Sequence, residues 1–199
     1  MRTWRMGLFV AWLVTAPLSA GAHEVSWRGV GPVRLGMTVA QAERALKAKL
    51  GPIAPPFTKD CYITGRKDSR EKALSYVIVD GRIVVMTVFL RDYSKPNPLV
   101  VDINGIGVGA TEAEIRRSYP HVRKELSPDF RGISAEEAEE FARERAKQGI
   151  TEPEPPPHYW MIAESPDRKR AIVFETEAGK VLHFSIGLKP EAVMNEHCI

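Results

Sequence analysis

The sequence has no Gly-x-Ser-x-Gly elbow, no phosphate-binding glycine loop and no His-Glu-x-x-His pair, so the local signatures of several common hydrolase, nucleotide and zinc sites are absent. Histidine is sparse: His23, His121, His158, His183 and His197 are the only five, and none stands at ligand spacing to another. The carboxylates from Glu136 to Glu140 surround a predicted surface helix and read as a solvated face rather than an acid/base pair. Charge of one sign is also lacking. The 28 basic and 25 acidic residues leave +3, and without Arg2 and Arg5 the balance is 26 − 25 = +1, which argues against a nucleic-acid surface. Long apolar runs are missing too: the longest, from Gly7 to Ala20, is short of the roughly 20 residues a spanning helix needs.

That run nevertheless has a purpose. Arg2 and Arg5 precede it and Ala20-Gly21-Ala22 follows it, the three regions of a secretory signal with cleavage expected after Ala22. The alternative is a retained anchor. No cysteine stands at the cleavage point, so a lipoprotein-type anchor is not available. The expected mature chain has 199 − 22 = 177 residues, enough for one ordinary domain or two small ones, without stable membrane insertion. Cleavage would make His23 the N-terminus, where amine and imidazole together suit copper. Nothing supplies a clear second ligand, so no metal or cofactor is expected.

Cysteine is scarce as well, with only Cys61 and Cys198. Export to an oxidising compartment favours a bridge between them, closing nearly the whole mature chain into one loop, with two unpaired buried thiols as the alternative.

Present twice is a glycine turn followed by a capped helix start. Gly36-Met37-Thr38 leads into a helix in which Thr38 caps, Gln41 answers as capping-box partner and Met37 staples onto Ala42. Gly109-Ala110-Thr111 repeats it with Glu114 and Ile115, offset by 109 − 36 = 73 residues. Val33 and Leu35 are predicted as a short strand before the first helix, which runs over 39–50 and is stopped by Gly51-Pro52, with strands around 61–64, 74–79 and 82–90, the last two joined by an Asp80-Gly81 hairpin turn. The second is predicted over 111–119, with strands around 159–162, 171–176 and 180–187 and Gly179 in the place of Gly81.

These features predict an α+β fold of two tandem modules, each a helix packed on a three- to four-stranded antiparallel meander. The expected divisions are a signal peptide over 1–22, a first module over 23–100 and a second over 101–199. An insert over 129–157 carries its own helix, with Ser134 and Glu137 as capping box and Phe141 as the one large apolar side chain, followed by a stiff polyproline return. It reads first as a solvated decoration and alternatively as a mobile arm beside a binding surface.

The repeated glycine turn, Gly36-Met37-Thr38 and Gly109-Ala110-Thr111, with its capped helix and meander, resembles the module of the β-lactamase inhibitory protein and of the BamE/SmpA-type outer-membrane assembly lipoproteins. The second copy departs at Ala110. Paired modules with a terminal acidic-x-Cys, here Glu196-His197-Cys198, also resemble a group of exported bacterial proteins. The resemblance implies a non-enzymatic protein-binding or inhibitory role in the periplasm, with helices behind and an open sheet face in front. It transfers no contact residue.

Strand alternation then divides the last strand of each repeat. Val84, Met86 and Val88, with Leu182, Phe184 and Ile186, are assigned to the helix-facing core. Ile83, Val85, Thr87 and Phe89, with Val181, His183, Ser185 and Gly187, fall on the outer face. An outer face that is apolar in one repeat marks an interaction site. Packing of the repeats on each other there, or reversed faces, is the alternative. The candidate partner-binding residues are Tyr76, Ile83, Val85, Phe89 and His183. The leading function is an exported binding or inhibitory protein with a protein partner in the periplasm or envelope. An accessory structural component of envelope assembly comes second and an envelope hydrolase third.

Overall fold

The structure is a computed structural model that describes residues 23–53, 58–67, 74–89, 100–128, 140, 143–149, 156–194 and 198. The expected signal segment, the insert's capping box and Phe141, and Glu196-His197 lie outside the described residues. No described helix is long and apolar enough to cross a membrane.

Three short strands open the described chain: β1 (His23–Ser26), β2 (Gly29–Val30) and β3 (Val33–Arg34). The helix α1 (Val39–Leu46) leads to β4 (Leu50–Pro52), β5 (Cys61–Arg66), β6 (Leu74–Val79), β7 (Arg82–Val88) and β8 (Val100–Asp102). Next come the helix α2 (Glu112–Ser118), β9 (Arg123–Leu126), β10 (His158–Glu164), β11 (Arg170–Glu177) and β12 (Lys180–Leu188), then a single 3-10 turn, Glu191–Val193.

The expected α+β fold of two tandem helix-plus-meander modules is overturned. The chain is mostly β, and its main feature is one eight-stranded antiparallel sheet in the order β4-β5-β6-β7-β12-β11-β10-β9. The strands assigned to separate modules meet at its centre, where Val88 faces Phe184 and Met86 faces Ile186. The cause is visible in β7, which is buried on both faces through most of its length. Left as an edge, β7 and β12 would each present a row of unpaired N–H and C=O groups beside apolar side chains; pairing them removes both edges. A second, four-stranded sheet, β3-β2-β1-β8, is built from segments too short to show any apolar period.

Both capping boxes form as expected. Thr38 accepts from Gln41 N–H while its own N–H donates to Gln41, and Thr111 does the same with Glu114. The first helix is shorter than predicted: Lys47 takes a left-handed conformation at φ 52°, and Leu50, expected inside the helix, pairs with Arg66 in the sheet. Each cap stretch is stitched to the sheet in the same way. Gly36 N–H donates to Ile83 C=O and Ile83 N–H to Met37 C=O; Gly109 and Ala110 make the same pair of bonds with Val181.

The two central hairpins turn on Asp80-Gly81 and Ala178-Gly179, with φ positive at all four residues, the type I′ geometry that matches strand twist. Each last strand then carries a bulge at the equivalent place. Val77 faces Val85 while Ile78 faces Ile83, and Glu175 faces His183 while Thr176 faces Val181, so Val84 and Leu182 are the extra residues. One inserted residue reverses the alternation before it. Ile83 and Val181, expected outside, therefore join Tyr76, Met86, Phe174 and Phe184 in the main core, under the helices and the smaller sheet.

On the opposite face the chain covers itself. Ala192 and Val193, in the 3-10 turn, pack on Trp160, Ile162 and Val173, while Cys198 packs on Val77, Val84 and Val85. The expected bridge holds this tail in place: Cys61 and Cys198 are joined, with S–S 2.04 Å, across 137 residues. Gly187 sits at the centre of the seam, where a Cβ would come within 2.8 Å of Val85 and 2.9 Å of Ala192.

Candidate functional site

The tail leaves one part of the outer face open, a groove of about 350 Å³ across β5, β6, β7, β12, β11 and β10. Its floor follows from pairing register. One row across the strands is Phe89, His183, Glu175 and Trp160; the next is Ser75, Thr87, Ser185 and Val173. Side chains two residues apart on a strand share a face, so the rows lie about 7 Å apart.

Glu175 organises the first row. It is 8 % exposed, yet each carboxylate oxygen has partners. The Trp160 indole N–H donates to Oε2 at 2.9 Å, His183 Nε2 lies 3.3 Å from Oε2, and His158 Nδ1 lies 2.9 Å from Oε1. Burial pushes the Glu175 pKa up, but the His183 contact above all, with Trp160 and His158, outweighs it and holds the carboxyl down to about 2. For His158, burial works against the charged ring, while hydrogen bonds to Glu175 and to Glu177 at 3.2 Å raise its pKa above the ordinary value. The imidazole of His183 also packs on Phe89, with ring centroids 5.7 Å apart. The bulge aims His183 here, because without Leu182 as the extra residue His183 would face the core.

Around this polar floor stands an apolar rim. Among the described residues four large apolar side chains are exposed, and three of them, Ile53 at 58 %, Met194 at 47 % and Phe89 at 39 %, line this groove. The fourth, Ile103, lies elsewhere.

The structure divides the predicted partner-binding residues. Phe89 and His183 belong to the groove and touch each other. Tyr76 and Ile83 are corrected: both are fully buried in the main core, Tyr76 because its side of β6 faces the helices and Ile83 because of the bulge. Val85 is on the outer face as expected but is not available to a partner, since the chain's own Ala192 and Cys198 cover it. Sequence reasoning missed Glu175, Trp160 and His158 and the rim residues Ile53 and Met194. One signal existed: Glu175 directly follows the apolar run Ala171-Ile172-Val173-Phe174 within the strand, and hairpin register from the Ala178-Gly179 turn places it near His183.

Among the described residues no group of three or more His, Cys, Asp or Glu side chains is arranged to hold a metal ion. The Glu175 oxygens are spent on Trp160 and the two histidines, and this arrangement fixes ring orientation. Comparison with family models, with curated proteins and with solved structures finds no match to this chain.

Proposed function

We propose that the protein is an exported, periplasmic binding protein, non-enzymatic, that receives a segment of a protein partner in the groove between Phe89, Ile53 and Met194. The N-terminal charge, apolar run and small-residue site support export, and the Cys61–Cys198 bridge fits an oxidising compartment. The observation that carries the binding reading is the concentration of exposed apolar side chains: three of the four in the described residues rim one groove, whereas Val77, Val84 and Val85 on the same face lie under Cys198. Phe89 is the anchor, since an aromatic ring against a rigid floor accounts for much of the affinity of an interface. The partner is a component of the periplasm or envelope.

Site-specific photo-crosslinking in periplasm-exporting cells tests it. A benzophenone side chain at Phe89 and one at Met194 are expected to give the same partner polypeptide, and one at Ile103 is expected not to. Equal adducts from all three positions, no adduct from any, or an adduct at twice the mass of this chain overturns the reading.

A further inference from the structure

The second row of the groove floor has unspent chemistry. Ser75, Thr87 and Ser185 stand side by side on β6, β7 and β12, and none of their hydroxyls has a hydrogen-bond partner among the described residues. Ser75 is 4 % exposed, and its hydroxyl keeps its contact with solvent at the groove floor. An occupant that covered these hydroxyls without pairing them would leave each unsatisfied, at a cost comparable to a lost hydrogen bond.

The row also has a pitch. Adjacent strands lie about 4.8 Å apart, so the outer two hydroxyl-bearing residues are separated by about 9.6 Å, the span of about three extended residues at 3.3 Å each. The first row, about 7 Å away, brings a carboxylate already saturated by Trp160, His158 and His183. Among the described residues Glu175 is the only carboxylate lining the groove, and no lysine or arginine lines it. A charged group entering here would find no free counter-charge and would be desolvated. A hydroxyl serves N–H and C=O alike, donating to one and accepting from the other.

Resting on the groove as the partner site, we infer that its occupant is an uncharged, extended peptide segment lying across the strands. It sets about three peptide or carboxamide groups over Ser75, Thr87 and Ser185 and inserts one apolar side chain beside Phe89. A glycan is the other chemistry that hydroxyls and aromatic rings serve, but Trp160 is 7 % exposed and offers little ring face for a sugar to stack on, and a rim of Ile53, Met194 and Phe89 favours apolar side chains.

The probe is a random heptapeptide phage library panned against the oxidised protein, with an immobilised array of β-1,4-linked N-acetylhexosamine oligomers in parallel. Selected peptides are expected to carry one apolar anchor flanked by uncharged residues. The combined Ser75→Ala, Thr87→Val, Ser185→Ala variant, folded by circular dichroism and melting temperature, is expected to bind the selected peptide at least about tenfold more weakly. Should the triple variant not fold, Thr87→Val alone is expected to lose about threefold. Equal affinity of wild type and variant, a required charged residue in the selected peptides, no selection, or glycan binding lost in the variant overturns the inference. The failures are separable: if crosslinking through Phe89 and Met194 persists in the hydroxyl variant at wild-type yield, the partner site stands and the hydroxyl row is not its reader.

Discussion

The hairpins β6–β7 and β11–β12 are built on one backbone plan and carry different side chains, among them one telling cross-strand pair. Both turn through two residues of positive φ, both carry a bulge at the same distance from the turn, and both receive the same two hydrogen bonds from a glycine cap stretch. The residues facing each other just inside the bulge are Val77 and Val85 in the first and Glu175 and His183 in the second, each offset by 175 − 77 = 183 − 85 = 98. The valine pair lies under Cys198 and the tail and contributes packing. The glutamate–histidine pair lines an open groove with Phe89 and Trp160. Backbone devices therefore specify shape in both halves, while the side chains set on them, an apolar pair in one and an ionic pair in the other, differ in what they offer the outer face.

If that division is right, Val85→Lys is the most damaging change. It places an ammonium beneath Ala192 and Cys198 with no partner, and a loss of about 3 kcal/mol or more is expected, read as loss of the cooperative transition in urea. A folded Val85→Lys protein of normal stability would show that the tail does not seal this half. Removing the bridge with the Cys61→Ser, Cys198→Ser pair is expected to cost about 2–4 kcal/mol. It should also increase dye binding to apolar surface at Val77 and Val85 without altering the Glu175 cluster, measured by the Trp160 fluorescence.

On the open side, Glu175→Gln is expected to cost about 1–3 kcal/mol near pH 5.5, because His158 and His183 lose their charged acceptor. The pH dependence gives the sharper test. Glu175 is depressed from 4.5 to about 2, so its contribution is present above 4.5 and is lost as pH falls toward 2. His158 is raised above 6.5, so its contribution is full below 6.5 and is lost as pH rises through the folded value. Wild type should thus be most stable between about 4.5 and 6.5, and Glu175→Gln should remove this group's share of the acid limb and shrink the alkaline limb, of which His158 keeps the part due to Glu177. The smallest effect concerns the turn. Ala178 holds the positive φ that Asp80 holds in the first hairpin, and Asn tolerates that conformation better than Ala. Ala178→Asn should gain up to about 1 kcal/mol, a rise of about 2–4 °C in Tm, while leaving groove binding unchanged.

What was legible in the residues was local chemistry. The two capping boxes, the Asp80-Gly81 turn and the paired cysteines each depend on a few neighbouring residues or on compartment, and each forms. The faces of β7 and β12 were not legible, because one extra residue reverses alternation and nothing in Ile83-Val84-Val85 announces which of three apolar residues is extra. Of the small sheet only β3 was legible, at Val33 and Leu35; β1, β2 and β8 escaped because they have two to four residues. The edge strand β9, Arg-Lys-Glu-Leu, is charged as edges are and carries no apolar signal. The groove was half legible: Phe89 and His183 could be placed from alternation, but the cover over Val85 comes from a tail more than 100 residues away.

The central seam between β7 and β12 also sets an order in time. Chain synthesis runs from the N-terminus, yet Lys180–Leu188, the last of the strands described, occupies the middle of the eight-stranded sheet. Until it arrives, β7 is an open, two-sided apolar edge, and no partial chain can close the sheet. Pairings this distant in sequence close slowly, since the loop entropy must be overcome before the contacts form. In the folded chain Lys180–Leu188 thus serves two ends at once: it closes the sheet against β7 and brings His183 and Ser185 to the groove.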